Sequence, residues 1–153
     1  MLKDENTRLR VLAEHDWLTG LYNRRAAEAH VDEALLKNGG GMLLVLDIDH
    51  FKQVNDRYGH LIGDALLCEA ARTLRDIFFP RDIIGRVGGD EFVVFLPELH
   101  SRDQAVYCAR RLCECIERLS EEGKYAMSCS IGVAFAPEEG TDYNTLAHVA
   151  DLR

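Results

Sequence analysis

Residues 83–97 hold two strand-like apolar runs, Ile83-Ile84-Gly85-Arg86-Val87 and Phe92-Val93-Val94-Phe95-Leu96, joined only through Gly88-Gly89-Asp90-Glu91. So short a link between two such runs makes a β-hairpin with carboxylates at its bend. Consecutive glycines permit positive φ without a Cβ clash and let another backbone or a phosphate come close. The apolar runs on both sides would hold the acids rigidly, as metal or phosphate chemistry requires. Taken alone, the pattern also fits a soluble hairpin tip. A second acidic cluster upstream shifts the balance toward chemistry.

The 153 residues suffice for one domain with a substantial core, and 47% hydrophobic against 29% charged residues describes a folded globular chain. A formal net charge of −8 argues against a nucleic acid polymer as partner but leaves room for a small anion bridged by metal. No apolar run approaches membrane-spanning length, so no membrane contact is expected of this segment, and the N-terminus lacks the pattern of a signal peptide. Cys68, Cys108, Cys113, Cys115 and Cys129 are odd in number and lack Cys-x-x-Cys spacing, which reads as reduced thiols in a cytoplasmic protein. Cys113 and Cys115 would point to different faces of a helix, which argues against a shared zinc ion.

Residues 1–15 are charged and helix-prone, with Leu2, Leu9 and Leu12 too sparse to bury much, and read as the end of a connecting helix. Asn23 is placed to cap a helix over about 24–37, which Gly39-Gly40-Gly41 ends. The continuous run Met42-Leu43-Leu44-Val45-Leu46 predicts a central strand buried on both faces. After a short polar stretch, Ile62, Leu66, Leu67, Ala70, Ala71, Leu74, Ile77 and Phe78 mark an amphipathic helix of about four turns. Beyond the hairpin, Ala105 to Leu119 repeats that periodicity, residues 126–136 form a strand and residues 141–150 begin a last helix. This order predicts an α/β, or α+β, sandwich in which helices flank a mixed central sheet.

The central strand runs directly into Asp47-Ile48-Asp49, at the strand end where α/β folds commonly place ligands. Alternation sends Asp47 and Asp49 to one face and Ile48 to the other. An acid from this strand end and one from the hairpin bend suit a hard divalent cation, which takes oxygen ligands and leaves positions open for phosphate. The competing reading is that these acids only cap the next helix or face water.

Four stretches together resemble the GGDEF family, the diguanylate cyclases. They are Asp16-x-Leu18-Thr19-Gly20-Leu21-x-Asn23-Arg24-Arg25; Asp47-x-Asp49-x-Phe51-Lys52-x-x-Asn55-Asp56-x-x-Gly59-His60-x-x-Gly63-Asp64; Arg86-x-Gly88-Gly89-Asp90-Glu91-Phe92; and Ser130-Ile131-Gly132-Val133-Ala134. The resemblance implies a nucleotide-cyclase, ferredoxin-like core with the Gly-Gly hairpin at its active site, in a GGDEF domain over residues 16–153. It implies a reaction that condenses two GTP into cyclic di-GMP and two pyrophosphates, each ribose 3′-hydroxyl attacking the α-phosphate of the other nucleotide with the help of Mg²⁺ or Mn²⁺.

Carried over residue by residue, Asp47, the Ile48 carbonyl and Asp90 ligate metal, and Glu91 is either a further metal ligand or the general base. Asn55 and Asp64 read the guanine edge, Leu67 packs on the base, Lys52 contacts phosphate, and the backbone at Gly88 and Gly89 lies beside the phosphates. His60 reads as structural, and Arg86 braces the hairpin, balances its acids or is a simple surface arginine. The resemblance also implies a homodimer in which each subunit holds one GTP, an upstream sensor domain and, in some members, a downstream phosphodiesterase domain.

Two departures stand out. The family's Arg-x-x-Asp product-inhibition site falls on Phe79 and Asp82, with Arg81 out of register, which implies a degenerate site. The family pattern beyond Ala150-Asp151 usually continues through a helix that supplies a lysine and an arginine to the triphosphate, which implies a domain truncated at its C-terminus. The alternative functions are a GTP-sensing regulatory module without turnover and a nucleoside triphosphate cyclase acting within one nucleotide, against which the Asn55 and Asp64 pair speaks.

Overall fold

The computed structural model describes residues 2–78, 80–99, 101–122 and 127–152. The elements run α1 (Leu2–Glu14), α2 (Arg24–Asn38), β1 (Gly41–Ile48), α3 (Phe51–Tyr58), α4 (His60–Ile77), β2 (Ile83–Arg86), β3 (Glu91–Leu96), α5 (Arg102–Glu122), β4 (Cys129–Ala136) and α6 (Tyr143–Asp151). Four strands form one sheet in the order β2-β3-β1-β4. All three ladders are antiparallel, and the mixed character comes from a parallel bridge between Tyr22 and Gly85 at the β2 edge.

β1 is the axis of the sheet, paired with β3 on one side and β4 on the other, and residues 41–46 are all buried. Strand alternation divides its side chains between two cores. Leu44 and Leu46 join Phe92, Val94, Leu67, Leu74, Leu112 and Ile116 beneath α4 and α5. Leu43 and Val45 join Val93, Phe95, Ala27, Val31 and Leu146 beneath α2 and α6. A strand covered on both faces has no room for a polar side chain until it outruns the helices, and the first acid of β1 is Asp47.

Asn23 caps α2 as expected, accepting from the Ala26 N–H at 2.9 Å. The stretch after β1 departs from expectation. It contains a further helix, α3, with Phe51 buried, and α4 begins at His60, so that Gly59 alone separates the two. The spacing of Phe51, Val54 and Tyr58 was its sequence signal, outweighed by the surrounding polar residues.

α6 lies on the sheet through Gly132, where an added Cβ would stand 1.9 Å from the Ala150 carbonyl oxygen. A side chain there must push the helix off β4. Gly132→Ala is therefore expected to lower stability by roughly 3 kcal/mol. Gly89→Ala, which meets open space, should change it by less than about 0.5 kcal/mol. Urea denaturation of the two variants beside the parent chain checks the contrast.

Candidate active site

The β1 ladder delivers Asp47 opposite Glu91 of β3 and opposite Ser130 of β4. Just beyond, the Ile48 N–H donates to the Asp90 carbonyl at 3.1 Å, which ties the strand end to the hairpin turn. The turn itself is closed by the Val87 and Gly88 N–H groups, both donating to the Glu91 carbonyl at 2.9 and 3.3 Å. Strands β1 and β3 and the β2–β3 turn thus gather Asp47, Ile48, Asp90 and Glu91 at one end of the sheet. One expectation is corrected here: neither Gly88 nor Gly89 has positive φ. Their contribution is bareness, since nothing stands within 4 Å of a Cβ added at Gly89 and the nearest neighbour at Gly88 is the Glu91 side chain at 3.3 Å.

The acids repel one another. Partial burial between strands, then Asp90, Asp151 and Asp49, push the Asp47 carboxyl above its ordinary range. Burial, then Asp47 and Asp151, push Glu91 upward as well, with Arg24 opposing. Asp151, at the end of α6, acts on both and was not among the expected site residues; no local pattern marks it, because only the packing of Ala150 against Gly132 of β4 brings it to this end of the sheet. Asp49 is turned toward β4, accepting from the Ser128 and Ser130 hydroxyls at 2.8 and 2.6 Å.

Among the described residues, no three His, Cys, Asp or Glu side chains close into a ready cation cage. A cage is not needed for Mg²⁺, which is commonly held by one or two carboxylates together with substrate phosphates. Hard oxygen donors carrying uncompensated negative charge fit such an ion.

The hairpin is held from outside by an ion pair spanning 70 residues of sequence. Arg86 reaches both carboxylate oxygens of Asp16 at 3.1 and 3.2 Å, the two side chains being only 15% and 13% exposed, and its Nε and Nη2 donate to the Gly89 carbonyl at 3.2 and 2.9 Å. Asp16 is also fixed by the Thr19 N–H and hydroxyl, each donating at 2.8 Å. Of the three expectations for Arg86, bracing is the one these contacts match, and its burial is not that of a simple surface arginine. Asp16, previously only part of a pattern, is its partner.

The expected base-reading residues lie on α3 and α4. Asn55 Oδ1 is buried without a hydrogen-bond partner among the described residues, and an added Cβ at Gly63 would fall 1.8 Å from it. A buried acceptor left unmet costs roughly 1–3 kcal/mol. Only glycine at 63 admits the Asn55 side chain in this position. Asp64, next to Gly63, is half-buried, and Lys52 is exposed on the first turn of α3. Leu67 is a correction: it is 2% exposed in the core beneath α4, because the same helical face that carries Ala70, Ala71 and Leu74 is turned to the sheet. It offers no surface for a base. At the expected inhibitory site, Phe79 lies outside the described residues, Asp82 is half-buried, and Arg81 pairs with Glu98 at 2.9 Å.

Burial alone would raise the Asp16 carboxyl, but Thr19 and Arg86 outweigh it and hold the group below its ordinary value of 3.8. A depressed carboxylate stabilises the fold above its unfolded value, and that stability is lost as pH falls through the folded one. Asp16→Asn is expected to destabilise the domain by roughly 2–4 kcal/mol at neutral pH. The gap to the parent chain should narrow below about pH 4, which thermal denaturation across a pH series reads directly.

The sequence model of the GGDEF family, described as diguanylate cyclase, GGDEF domain, matches residues 13–153. The chain is 36% identical over 158 residues to the diguanylate cyclase TpbB of Pseudomonas aeruginosa, covering 99% of this chain and 36% of TpbB. It is 36% identical over 148 residues to the cyclic di-GMP phosphodiesterase PdeR of Escherichia coli K12, covering 94% of this chain and 22% of PdeR. The chain thus spans well under half the length of these relatives. The solved structure of an N-terminally shortened TpbB of Pseudomonas aeruginosa comprising only the GGDEF domain superposes with a TM-score of 0.82 at 35% identity, covering 90% of this chain and 84% of that one. Fold, hairpin and family match agree: the chain belongs to the GGDEF domain family.

Proposed function

We propose that this domain condenses two molecules of GTP into cyclic di-GMP with release of two pyrophosphates. The observation that carries the reading is the placement of Asp47 and Glu91 as cross-strand neighbours beside Asp90, with the carboxyls of Asp47 and Glu91 pushed upward by burial and mutual repulsion. In this reading Asp47, the Ile48 carbonyl, Asp90 and Glu91 hold Mg²⁺ or Mn²⁺. When bound, the cation polarises the α-phosphate and neutralises the departing pyrophosphate.

The chain's own residues then position and read the nucleotide. The unmet Asn55 Oδ1 accepts from a guanine N–H, and Asp64 accepts beside it. The bare backbone at Gly88 and Gly89 lets a phosphate approach, with Lys52 supplying positive charge from α3. The Arg86 brace keeps the turn in place while charge builds in front of it. Glu91, its carboxyl held upward, serves as a base toward the ribose 3′-hydroxyl or as a metal ligand. Two copies facing each other supply the two nucleotides. Residues 1–15, with Leu9 and Leu12 exposed on α1, connect the domain to a sensor. The Arg81–Glu98 pair supports weak product binding at the degenerate inhibitory site.

A second reading is a GTP-binding regulatory module without turnover. It draws on the 36% identity to PdeR, named as a phosphodiesterase.

Incubating the chain with GTP and Mg²⁺ or Mn²⁺ and identifying the product by mass separates the readings. The expected product is cyclic di-GMP, and Asp90→Asn and Glu91→Gln should each lower turnover roughly 100-fold or more. Full activity in Asp90→Asn would remove its metal role. Nucleotide bound without product would favour the regulatory module.

A further inference from the structure

Cys113 on α5 and Cys129 at the start of β4 face each other with their sulfurs 3.6 Å apart, and the Cys113 thiol also points to the Cys129 carbonyl at 3.8 Å. Both are free and half-buried. Among the described residues β4 pairs with β1 alone, so its first residue has one ladder to keep as it yields toward the helix. A disulfide needs the sulfurs at about 2.05 Å, so an approach of roughly 1.5 Å through side-chain rotation and a small strand shift closes the bond. The neighbouring thiols are engaged differently: Cys68 donates to the Leu18 carbonyl at 3.4 Å, and Cys108 lines an apolar cavity with Ile77, Phe78 and Leu99.

We infer that Cys113 and Cys129 are a redox modification site, converted by a peroxide into an intramolecular disulfide that staples α5 to β4. One thiol is oxidised by hydrogen peroxide to a sulfenic acid with loss of water. The second thiol attacks that sulfur, forming the S–S bond and expelling a second water. Two thiols lose two electrons and two protons, and one peroxide becomes two waters. Burial, followed by the neighbouring Cys113, raises the Cys129 thiol above its ordinary range, which slows its reaction with peroxide. The bond would sit next to the residues that hold Asp49, since Ser128 and Ser130 flank Cys129, and opposite Ile48 in the sheet.

The test treats the purified, fully reduced chain with hydrogen peroxide and then blocks remaining thiols. Titratable thiols should fall from five to three, the intact mass should drop by two hydrogens, and a non-reducing digest should yield the Cys113–Cys129 linked peptide. The melting temperature should rise by roughly 5–10 °C and return with dithiothreitol. Cys113→Ser and Cys129→Ala should each lose the peroxide-induced shift. Five titratable thiols after treatment, oxygen addition without a link, a link to another cysteine or to a second chain, or a mapped bond that lowers the melting temperature would each overturn the inference. None of these readouts involves nucleotide, so the result stands apart from the proposed turnover.

Discussion

The structure depends on β1 being covered on both faces and paired on both edges. Six consecutive buried residues commit the strand to the centre of the sheet, and the helices that cover it are what the rest of the chain supplies. Because nothing polar can sit within that span, the acids accumulate where the covering ends. The antiparallel register with β3 then sets Glu91 opposite Asp47. The chemistry of the site is thus a consequence of where burial stops.

Carboxylates brought together in this way destabilise the metal-free domain, and the fold restrains them with contacts placed outside the acidic cluster. Arg86 is the central one. It lies at the end of β2, pairs with Asp16 from the segment between α1 and α2, and holds the Gly89 carbonyl at the turn. The same residue therefore ties the hairpin to the chain that enters the domain from α1. A change in how α1 is held has a short physical route to the turn: Asp16, Arg86, Gly89.

Much of this was readable from residue order. The apolar run of β1, the hairpin, the Asn23 cap and the periodic faces of α4 and α5 each follow from local pattern, and each is present. The failures are long-range or concern the far side of an element. Helical spacing identified Leu67 as apolar but not that its face turns into the core. The Asp16–Arg86 pair joins residues 70 positions apart, and no local rule links them. The Gly-Gly pair suggested positive φ, whereas the turn uses the absence of side chains. Helix α3 was obscured because its buried residue, Phe51, stands alone among polar neighbours.

The central claim is that Asp47 and Glu91 form a strained acidic pair whose repulsion is relieved by a divalent cation and nucleotide. Carbon-detected NMR titration of the two side-chain carboxyls, without metal and then with Mg²⁺ and a non-hydrolysable GTP analogue, tests it most directly. Both groups should titrate above their ordinary values of 3.8 and 4.5 in the metal-free domain, and both should fall when metal and nucleotide are added. Ordinary values that do not move on adding metal and nucleotide would contradict the account.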